Sequence, residues 1–404
     1  MVTLKSFLGM IAAVPFIMAC NQTGQVNATL FPASGSENVN PDTHLVLTFS
    51  ETPVLGDSGM IRVYDAVTDQ VVDSLDLSIP SGPTESRTYG PECDYTKVPY
   101  DYTRTVVPTN KDTRPGTPSG TAEPTPPVYQ LTIIGGFTDA FHFYPVIVRD
   151  SIATIYLHNN MLEYGHTYYV TIDNGVLNLA DGSFQGVTKE DEWTFTTKSD
   201  MPELSDTLIV DATGKGDFNT VQGALDFIPD FNERQTVILV NPGDYEELVY
   251  TRNKWNVKIK GAGMADTKVH YANNEVFNPH PLTVKTNEWP GTFPSRRAAF
   301  MLDNCKDIVI EDMTIATDLK GQAEGLLING ERIALYRVHI IGSGDALQAN
   351  GTIYMESCEL DGGGDTILGR GSLFAYKSNF RNGGGPFSWV RNTARNHGNV
   401  FVEC

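Results

Sequence analysis

The sequence predicts an all-β protein in which a β-sandwich precedes a right-handed parallel β-helix. Two patterns support this. Residues 27–198 contain short alternating apolar runs separated by turn residues, which is typical of antiparallel strands. Residues 206–404 contain strand-like runs that return at intervals of about 20 residues, which is typical of the coils of a solenoid.

The charge balance of the chain excludes one large class of partner. The 404 residues carry a formal net charge of −20, whereas nucleic-acid binding needs clustered Lys and Arg to neutralise phosphates. The same charge disfavours electrostatic binding to anionic lipid. The eight histidines form no HxxH or HExxH pattern, so we predict no metal site.

The N-terminus has the pattern of an export signal. Lys5 precedes an apolar run over residues 7–18 that is too short for a permanent membrane span. Residues 17–20, Ile-Met-Ala-Cys, resemble a bacterial lipobox, which implies that residues 1–20 are a lipoprotein-type signal peptide and that Cys20 is lipidated. We therefore expect an exported bacterial protein anchored to the outer membrane by lipid alone, on its periplasmic or cell-surface face. The alternative is an ordinary cleaved signal.

The sandwich is predicted from four alternating runs, at residues 43–49, 60–64, 167–172 and 193–197. Residues 81–127 are rich in Pro and Thr with little apolar periodicity, so we interpret them as a partly disordered insertion. The opening segment 32–41 and the closing Trp-Thr-Phe resemble the bacterial Ig-like modules attached to secreted enzymes. We interpret this domain as a spacer or docking module.

A polar linker and one short helix precede the repeats. Val221, Leu225 and Ile228 fall on one face of a helix. The repeated runs then begin at Ile308, Ile333, Ile353 and Leu373, so their spacings are 25, 20 and 20 residues. Their apolar positions align in two columns: Ile310, Leu335, Met355 and Ala375, and Ile315, Ile340, Leu360 and Phe380. These columns indicate a parallel β-helix in which each coil covers the apolar face of the previous one.

The end of the chain begins one more such run. Residues 399–404 start a strand, but no atypical capping unit follows. Because a solenoid core needs a cap, we expect the β-helix domain, residues 206–404, to be truncated at its C-terminus.

Two aspartates occupy matching places in this repeat. Asp345 lies 12 residues after Ile333, and Asp365 lies 12 residues after Ile353, each following a glycine-rich corner. On successive coils their carboxylates would stack about 5 Å apart. Since two such carboxylates cannot both ionise freely, one pKa rises and the pair divides into an acid and a base. The alternative is that each Asp only bonds backbone amides of its turn.

Gln322 lies one coil earlier, in a longer coil whose spacing does not fix its height. A neutral amide donor near a carboxylate pair suits the stabilisation of an oxyanion. The alternative is a solvated glutamine or one that bonds the corner.

Several segments, taken in order, resemble the pectin methylesterase (pectinesterase) family. Residues 211–222 look like the family's opening segment, and residues 241–245 resemble its Pro-Gly-x-Tyr strand end. Gln322-Ala323 matches the start of the family's Gln-Ala-Val-Ala-Leu motif. Residues 342–347 stand where the family has Gly-Tyr-Gln-Asp-Thr-Leu, and residues 364–369 where it has Val-Asp-Phe-Ile-Phe-Gly.

The resemblance implies a pectinesterase that releases methanol from methyl-esterified pectin, with no cofactor and as a monomer. Asp365 would be the nucleophile, Asp345 the general acid and base, and Gln322 the oxyanion donor. Phe293 matches an aromatic residue that contacts substrate. Gly344 replaces the family's second oxyanion glutamine. The family's orienting arginine would lie beyond the end of the chain, and Arg370 is its nearest substitute.

Two other functions stay open on the sequence. A pectin-cleaving polygalacturonase or lyase would also use paired carboxylates, although the hydrolase motifs Asn-Thr-Asp, Gly-Asp-Asp, Gly-His-Gly and Arg-Ile-Lys are absent from the sequence. A non-catalytic pectin-binding β-helix is favoured by Gly344 and by the loss of the family aromatics after both aspartates, at Gln348 and Leu368.

Overall fold

A computed structural model of the chain describes residues 26–84, 103–107, 119–123, 129–137, 140–278, 296–390 and 398–404. The predicted signal peptide with Cys20, the residue Phe293 and most of the predicted insertion lie outside the described residues. No helix within the described residues is long and apolar enough to cross a membrane.

The N-terminal part of the described chain consists of short strands. They are β1 (Thr29–Phe31), β2 (Ser36–Val39), β3 (Leu45–Thr48), β4 (Val54–Leu55), β5 (Met60–Asp65), β6 (Gln70–Asp76), β7 (Thr103–Val107), β8 (Ser119–Glu123), β9 (Leu131–Ile133), β10 (Phe141–His142), β11 (Val146–Arg149), β12 (Ile152–Ile155), β13 (Thr167–Ile172), β14 (Leu177–Asn178) and β15 (Thr194–Thr197).

Two sheets of this part enclose one apolar core. The first has the order β1-β3-β12-β11 and the second the order β2-β15-β13-β5-β6. Leu47, Val63 and Phe195 are among the buried side chains of their shared core. The four runs predicted as strands are confirmed as β3, β5, β13 and β15. The Ig-like assignment of this sandwich stays a prediction.

A third sheet, of order β10-β9-β8-β7, includes two strands from the predicted insertion. Strands β7 and β8 pair antiparallel, from Thr103 opposite Glu123 to Val107 opposite Ser119. This part of the segment therefore has more regular structure than its Pro- and Thr-rich composition indicated.

The rest of the chain is a solenoid with one short helix. Its elements are β16 (Thr207–Val210), α1 (Val221–Phe227), β17 (Thr236–Val240), β18 (Gly243–Glu246), β19 (Val249–Arg252), β20 (Trp255–Lys260), β21 (Thr267–Tyr271), β22 (Phe300–Thr317), β23 (Leu326–Glu331), β24 (Ile333–Ile341), β25 (Leu347–Ala349), β26 (Thr352–Glu356), β27 (Glu359–Gly362), β28 (Ile367–Gly369), β29 (Ser372–Tyr376), β30 (Asn379–Asn382), β31 (Ser388–Val390) and β32 (Asn399–Val402).

These strands form a curled parallel sheet, which confirms the predicted parallel β-helix. The predicted columns are also confirmed, because Ile310 pairs with Leu335, Leu335 with Met355, and Met355 with Ala375. The second column pairs in the same way from Ile315 to Phe380. Leu335, Met355 and Ala375 have no exposed surface, so each coil buries the apolar face of its neighbour.

Helix α1 begins where the sequence predicts and covers the N-terminal end of the solenoid core. The Thr220 side chain accepts a hydrogen bond from the Gly223 N–H at 2.9 Å, which is an N-cap. All seven helical residues are buried, and the apolar ones belong to the solenoid core.

The sandwich is docked on the solenoid through polar contacts at both ends of α1. A carboxylate oxygen of Asp42 accepts from the N–H groups of Asn219 at 2.9 Å and Thr220 at 2.8 Å. Asn159 and Asn160 donate to one oxygen of the fully buried Asp226 at 2.9 and 3.1 Å. A carboxylate at a helix start stabilises backbone donors that have no partner within the helix.

The two parts also share an apolar cluster. Ile134, Phe137 and Phe141 of the N-terminal part pack with Tyr250 and other buried side chains of the solenoid. Gly135, with φ +62°, allows the two segments to approach closely, because a Cβ there would lie 1.7 Å from the Tyr250 carbonyl oxygen. The sandwich is therefore more than a spacer, since its residues complete part of the solenoid's packing.

Candidate active site

Asp345 and Asp365 lie at the same corner of successive coils, immediately before β25 and β28. These strands pair in parallel, with Leu347 opposite Ile367. The Ala346 N–H donates to the Thr366 carbonyl at 3.2 Å, and the Gly364 N–H donates to the Gly344 carbonyl at 2.5 Å. The structure thus brings the two aspartates together as their spacing predicts. We call residues 342–345 and 362–365 the Gly-Asp corner.

The environments of the two carboxyl groups differ. Asp345 is buried, with 7% of its surface exposed, whereas Asp365 is half-buried. Burial raises the pKa of Asp345 to about 7, and the charges of Glu324 and Asp365 act in the same direction. The Arg297 guanidinium and the Asp365 backbone N–H oppose this rise. A carboxyl group with a pKa near 7 can both donate and accept a proton at neutral pH.

Arg297 is the functional-site residue that the sequence reasoning missed. Its Nη2 donates to Asp345 Oδ2 at 2.9 Å, and its Nη1 donates to Gln322 Oε1 at 2.5 Å. Burial lowers the pKa of the Arg297 guanidinium, but the charges of Glu324, Asp345 and Glu275 outweigh burial and raise it above its ordinary value. Arg297 therefore stays protonated and links two of the three predicted catalytic residues.

Glu324 anchors this arginine from inside the solenoid. Its carboxylate has no exposed surface and accepts from Arg297 Nε at 2.8 and 2.9 Å and from Nη2 at 2.6 Å. A bidentate pair between planar groups fixes the guanidinium in position as well as in charge. Glu324 stands two residues after Gln322, where the resembled motif has Val. A buried, charged Glu324 in place of Val was the sequence signal that could have predicted a cation nearby.

Gln322 lies on the coil that precedes Asp345, and its side chain is exposed. Its carbonyl oxygen accepts from the Glu275 N–H at 2.9 Å, and its amide oxygen accepts from Arg297. Ser343 accepts a hydrogen bond from the Gly321 N–H at 3.1 Å, which joins this coil to the Gly-Asp corner. Arg297 thus contacts both the predicted oxyanion donor, Gln322, and the predicted general acid and base, Asp345.

Gly344 fits this corner because the coils are in close contact there. A Cβ on Gly344 would lie 2.8 Å from the Gly321 carbonyl oxygen and 3.0 Å from Gln322 Cα. A glutamine at this position would therefore need the backbone of one coil to move. The close packing of the coils at this corner therefore favours glycine over the glutamine of the family motif.

Arg370 lies beyond β28 and continues a ladder of polar side chains inside the solenoid. Asn329 donates to Asp303 Oδ1 at 3.1 Å, and Asn350 donates to Asn329 Oδ1 at 2.9 Å. The Arg370 N–H donates to Asn350 Oδ1 at 3.1 Å. This contact is made by the backbone of Arg370 and assigns no role to its guanidinium. Substrate binding by Arg370 therefore stays a prediction, and so does substrate binding by Phe293.

A second charged cluster lies between the sandwich and the solenoid, on other elements than the Gly-Asp corner. Among the described residues, Glu246, His270 and Asp318 approach closely enough for a cation. Arg149 of the sandwich already donates to Glu246 at 2.5 Å and lies 3.8 Å from Asp318. This arginine supplies positive charge to the carboxylates, so the cluster is an ion-pair contact between the two parts.

The fold and the corner define a parallel β-helix protein with paired carboxylates on adjacent coils. Comparison with known proteins shows which family this part of the chain resembles. Residues 207–383 match the sequence model of the Pectinesterase family. This part of the chain, which holds both aspartates, Gln322 and Arg297, is therefore similar to pectinesterases.

The individual relatives are distant. Pectinesterase QRT1 of Arabidopsis thaliana is 30% identical over 170 residues, which are 40% of this chain and 43% of that protein. Pectinesterase 31 of the same plant is 29% identical over 165 residues, which are 40% of this chain and 51% of that protein. The chain thus spans about half the length of the curated relatives it matches.

Solved structures with similarity to the chain include two pectin methylesterases. The deglycosylated enzyme from Aspergillus niger is 19% identical, with a TM-score of 0.39, and the alignment covers 50% of this chain and 68% of that one. The enzyme from carrot is 20% identical, with a TM-score of 0.38, and the alignment covers 45% of this chain and 54% of that one.

Proposed function

We propose that the protein is a carbohydrate esterase that hydrolyses the methyl esters of galacturonate in pectin and releases methanol and pectate. The observation that carries the proposal is the pairing of Asp345 and Asp365 on adjacent coils of a pectinesterase-family domain. Burial raises the pKa of one of the two carboxyl groups, Asp345, to about 7. The arrangement suits a reaction that needs a carboxylate nucleophile and a proton donor side by side.

In the first half of the reaction the Asp365 carboxylate attacks the C6 ester carbonyl of galacturonate. The resulting oxyanion is stabilised by the amide N–H of Gln322. Collapse of this intermediate breaks the bond to methoxide, which leaves as methanol with the proton of Asp345. The products of this half are methanol, an ionised Asp345 and an acyl anhydride on Asp365.

The second half restores the site. Asp345, now a carboxylate, removes a proton from a water molecule that attacks the galacturonyl carbonyl. The anhydride bond breaks, Asp365 leaves as a carboxylate, and the galacturonic acid product ionises in solvent. One water is consumed for each methanol released, and no metal or organic cofactor takes part in these steps.

The reaction class is tested with the full-length protein and highly methylated pectin. We expect methanol release without new reducing ends and without absorbance from unsaturated uronates. Reducing ends would indicate a polygalacturonase, and unsaturated uronates a lyase. Retention of folded protein on pectin, with none of the three products, would favour the non-catalytic binding solenoid.

We also propose that the protein is an exported bacterial lipoprotein and a monomer. The lipobox-like segment that ends at Cys20 supports export and lipidation, and the monomer is what the resemblance to pectinesterases implies. Metabolic labelling with palmitate should mark the protein and fail to mark a Cys20→Ala variant. Light scattering of the detergent-solubilised protein should give the mass of one chain, and a doubled mass would contradict the monomer.

A further inference from the structure

We propose that Arg297 is a positioning residue of this site, which turns the Gln322 amide nitrogen toward the ester and holds the Asp345 carboxyl group in line for proton transfer. The inference rests on the proposed esterase function and assigns a role to a residue that lies outside the paired aspartates. Its evidence is the set of contacts that one guanidinium makes.

Arg297 determines the orientation of the Gln322 amide. A guanidinium group has only donors, so the amide atom that faces Arg297 Nη1 at 2.5 Å must be the oxygen. The amide nitrogen is then on the far side of the amide from Arg297. An oxyanion needs a donor, and an amide turned the other way would present an acceptor instead.

Arg297 also contacts the carboxyl group of Asp345. Arg297 Nη2 contacts Oδ2 of this carboxyl group at 2.9 Å. The contact fixes one oxygen of the carboxyl group, and the Asp365 backbone N–H is a further donor to the same group. Because one guanidinium holds both groups, the distance between the Gln322 donor and the Asp345 proton is set by a single rigid plane.

The Arg297 side chain is itself held in place. Its side chain is 16% exposed, and the buried Glu324 holds Nε and Nη2. Glu275 lies 3.7 Å from Nη1 on the remaining side. With carboxylates on these sides, the guanidinium has little freedom to swing away from the corner. A well-held single donor matters here, because Gly344 brings no side chain to replace the second glutamine.

The charges around Asp345 give a second readout. The charges of Glu324 and Asp365 raise the pKa of Asp345, and the charge of Arg297 lowers it. Glu275 also faces Arg297. Removal of Arg297 should therefore raise the pKa of Asp345 further. A residue with a merely structural role would change stability without moving this titration.

The test compares Arg297→Met with Arg337→Met, in which an exposed arginine paired with Asp312 is removed instead. Methanol release is measured between pH 5 and pH 9. We expect Arg297→Met to lower kcat by roughly 100-fold, which is the effect of losing one oxyanion donor. We expect KM to change less than kcat and the alkaline limb of the pH profile to move to higher pH. The Arg337→Met protein should behave as the parent does.

Two further variants separate positioning from folding, because Arg297→Met leaves Glu324 buried without its partner. The double variant Arg297→Met/Glu324→Val removes both charges and should recover thermal stability but not kcat. Arg297→Lys keeps a positive charge beside Glu324 but loses the planar, bidentate donors of the guanidinium. This variant should fold and should have a kcat as low as that of Arg297→Met.

The outcomes are distinct. Parent-like kcat in the folded double variant, or in a folded Arg297→Lys protein, would overturn the positioning role and leave the esterase proposal intact. No methanol release from the folded parent would overturn the esterase proposal, and the positioning role with it.

Discussion

Arg297 and Glu324 form a bidentate ion pair beside the carboxyl group of Asp345. The pair joins two consecutive coils, and Glu324 has no exposed surface. Breaking such a buried pair by removing one partner costs about 3–5 kcal/mol of folding free energy, because the other charge is left uncompensated. The solenoid thus carries a stabilised charge network next to the residues proposed to carry out catalysis.

The first prediction concerns pH. Burial raises the pKa of Asp345 to about 7, and in the proposed reaction this group must be protonated to give its proton to the departing methoxide. Its protonated fraction falls as pH rises through 7, so kcat for methanol release should fall about tenfold per pH unit on the alkaline side. A profile that stays flat to pH 9 would contradict the role of Asp345 as the acid.

The second prediction concerns the charge of Glu324, which raises the pKa of Asp345. Glu324→Gln should move the alkaline limb to lower pH, opposite in direction to Arg297→Met. The matched control is Glu331→Gln, at an exposed position of the same solenoid, and its limb should stay in place. A Glu324→Gln limb that moves upward would show that this charge does not act on Asp345.

The third prediction concerns the packing at Gly344. Gly344→Ala places a Cβ against the Gly321 carbonyl oxygen and close to Gln322 Cα. We expect the coil to shift, with a loss of about 1–3 kcal/mol in the free energy of unfolding and a lower kcat. Urea unfolding and methanol release measure the two effects. Unchanged stability and activity would mean that the corner has more space than its contacts indicate.

The fourth prediction concerns the internal ladder that ends at Arg370. Asn329 is fully buried and bonds both Asp303 and Asn350. Asn329→Ala removes one hydrogen bond from Asp303 Oδ1 and one from the Asn350 amide nitrogen, and it should lower the free energy of unfolding by about 1–3 kcal/mol in urea unfolding. Asn174→Ala, at an exposed asparagine, is the control and should have little effect. Equal effects of the two variants would contradict a role for the ladder in stability.

The sequence predicts the solenoid well because successive coils repeat the same pattern of apolar residues. A spacing of 20 residues places Leu335, Met355 and Ala375 in one column, and the same period places Asp345 below Asp365. Helix α1 was predictable for the same reason, since three apolar residues fall on one face and the fold covers them.

Arg297 could not be placed by that period. It lies 48 residues before Asp345 and 27 before Glu324, in a coil of different length from those that follow. Its neighbour Arg296 has the same side chain but lies against Phe137 and Phe141 of the N-terminal part. Which arginine faces the aspartates depends on contacts between distant segments, and a repeat pattern contains no information on those contacts.

The docking of the sandwich was missed for a related reason. Alternation identifies strands and their buried faces, but it does not show that Phe137 and Phe141 pack against the solenoid. The contact of Asp42 with the start of α1 also joins residues more than 170 positions apart. Such contacts are specified by the surfaces of two folded parts and have no local signature.

The role of Asp365 as nucleophile is tested by methanol release from highly methylated pectin, measured for the full-length protein, for Asp365→Asn and for Asp307→Asn. Asp307 is a partly exposed aspartate of the same solenoid, paired with Arg332, and its variant controls for the loss of one carboxylate. We expect release by the parent and by Asp307→Asn, and none by a folded Asp365→Asn protein. Release by Asp365→Asn at the parent's rate would contradict the assignment of Asp365 as the nucleophile.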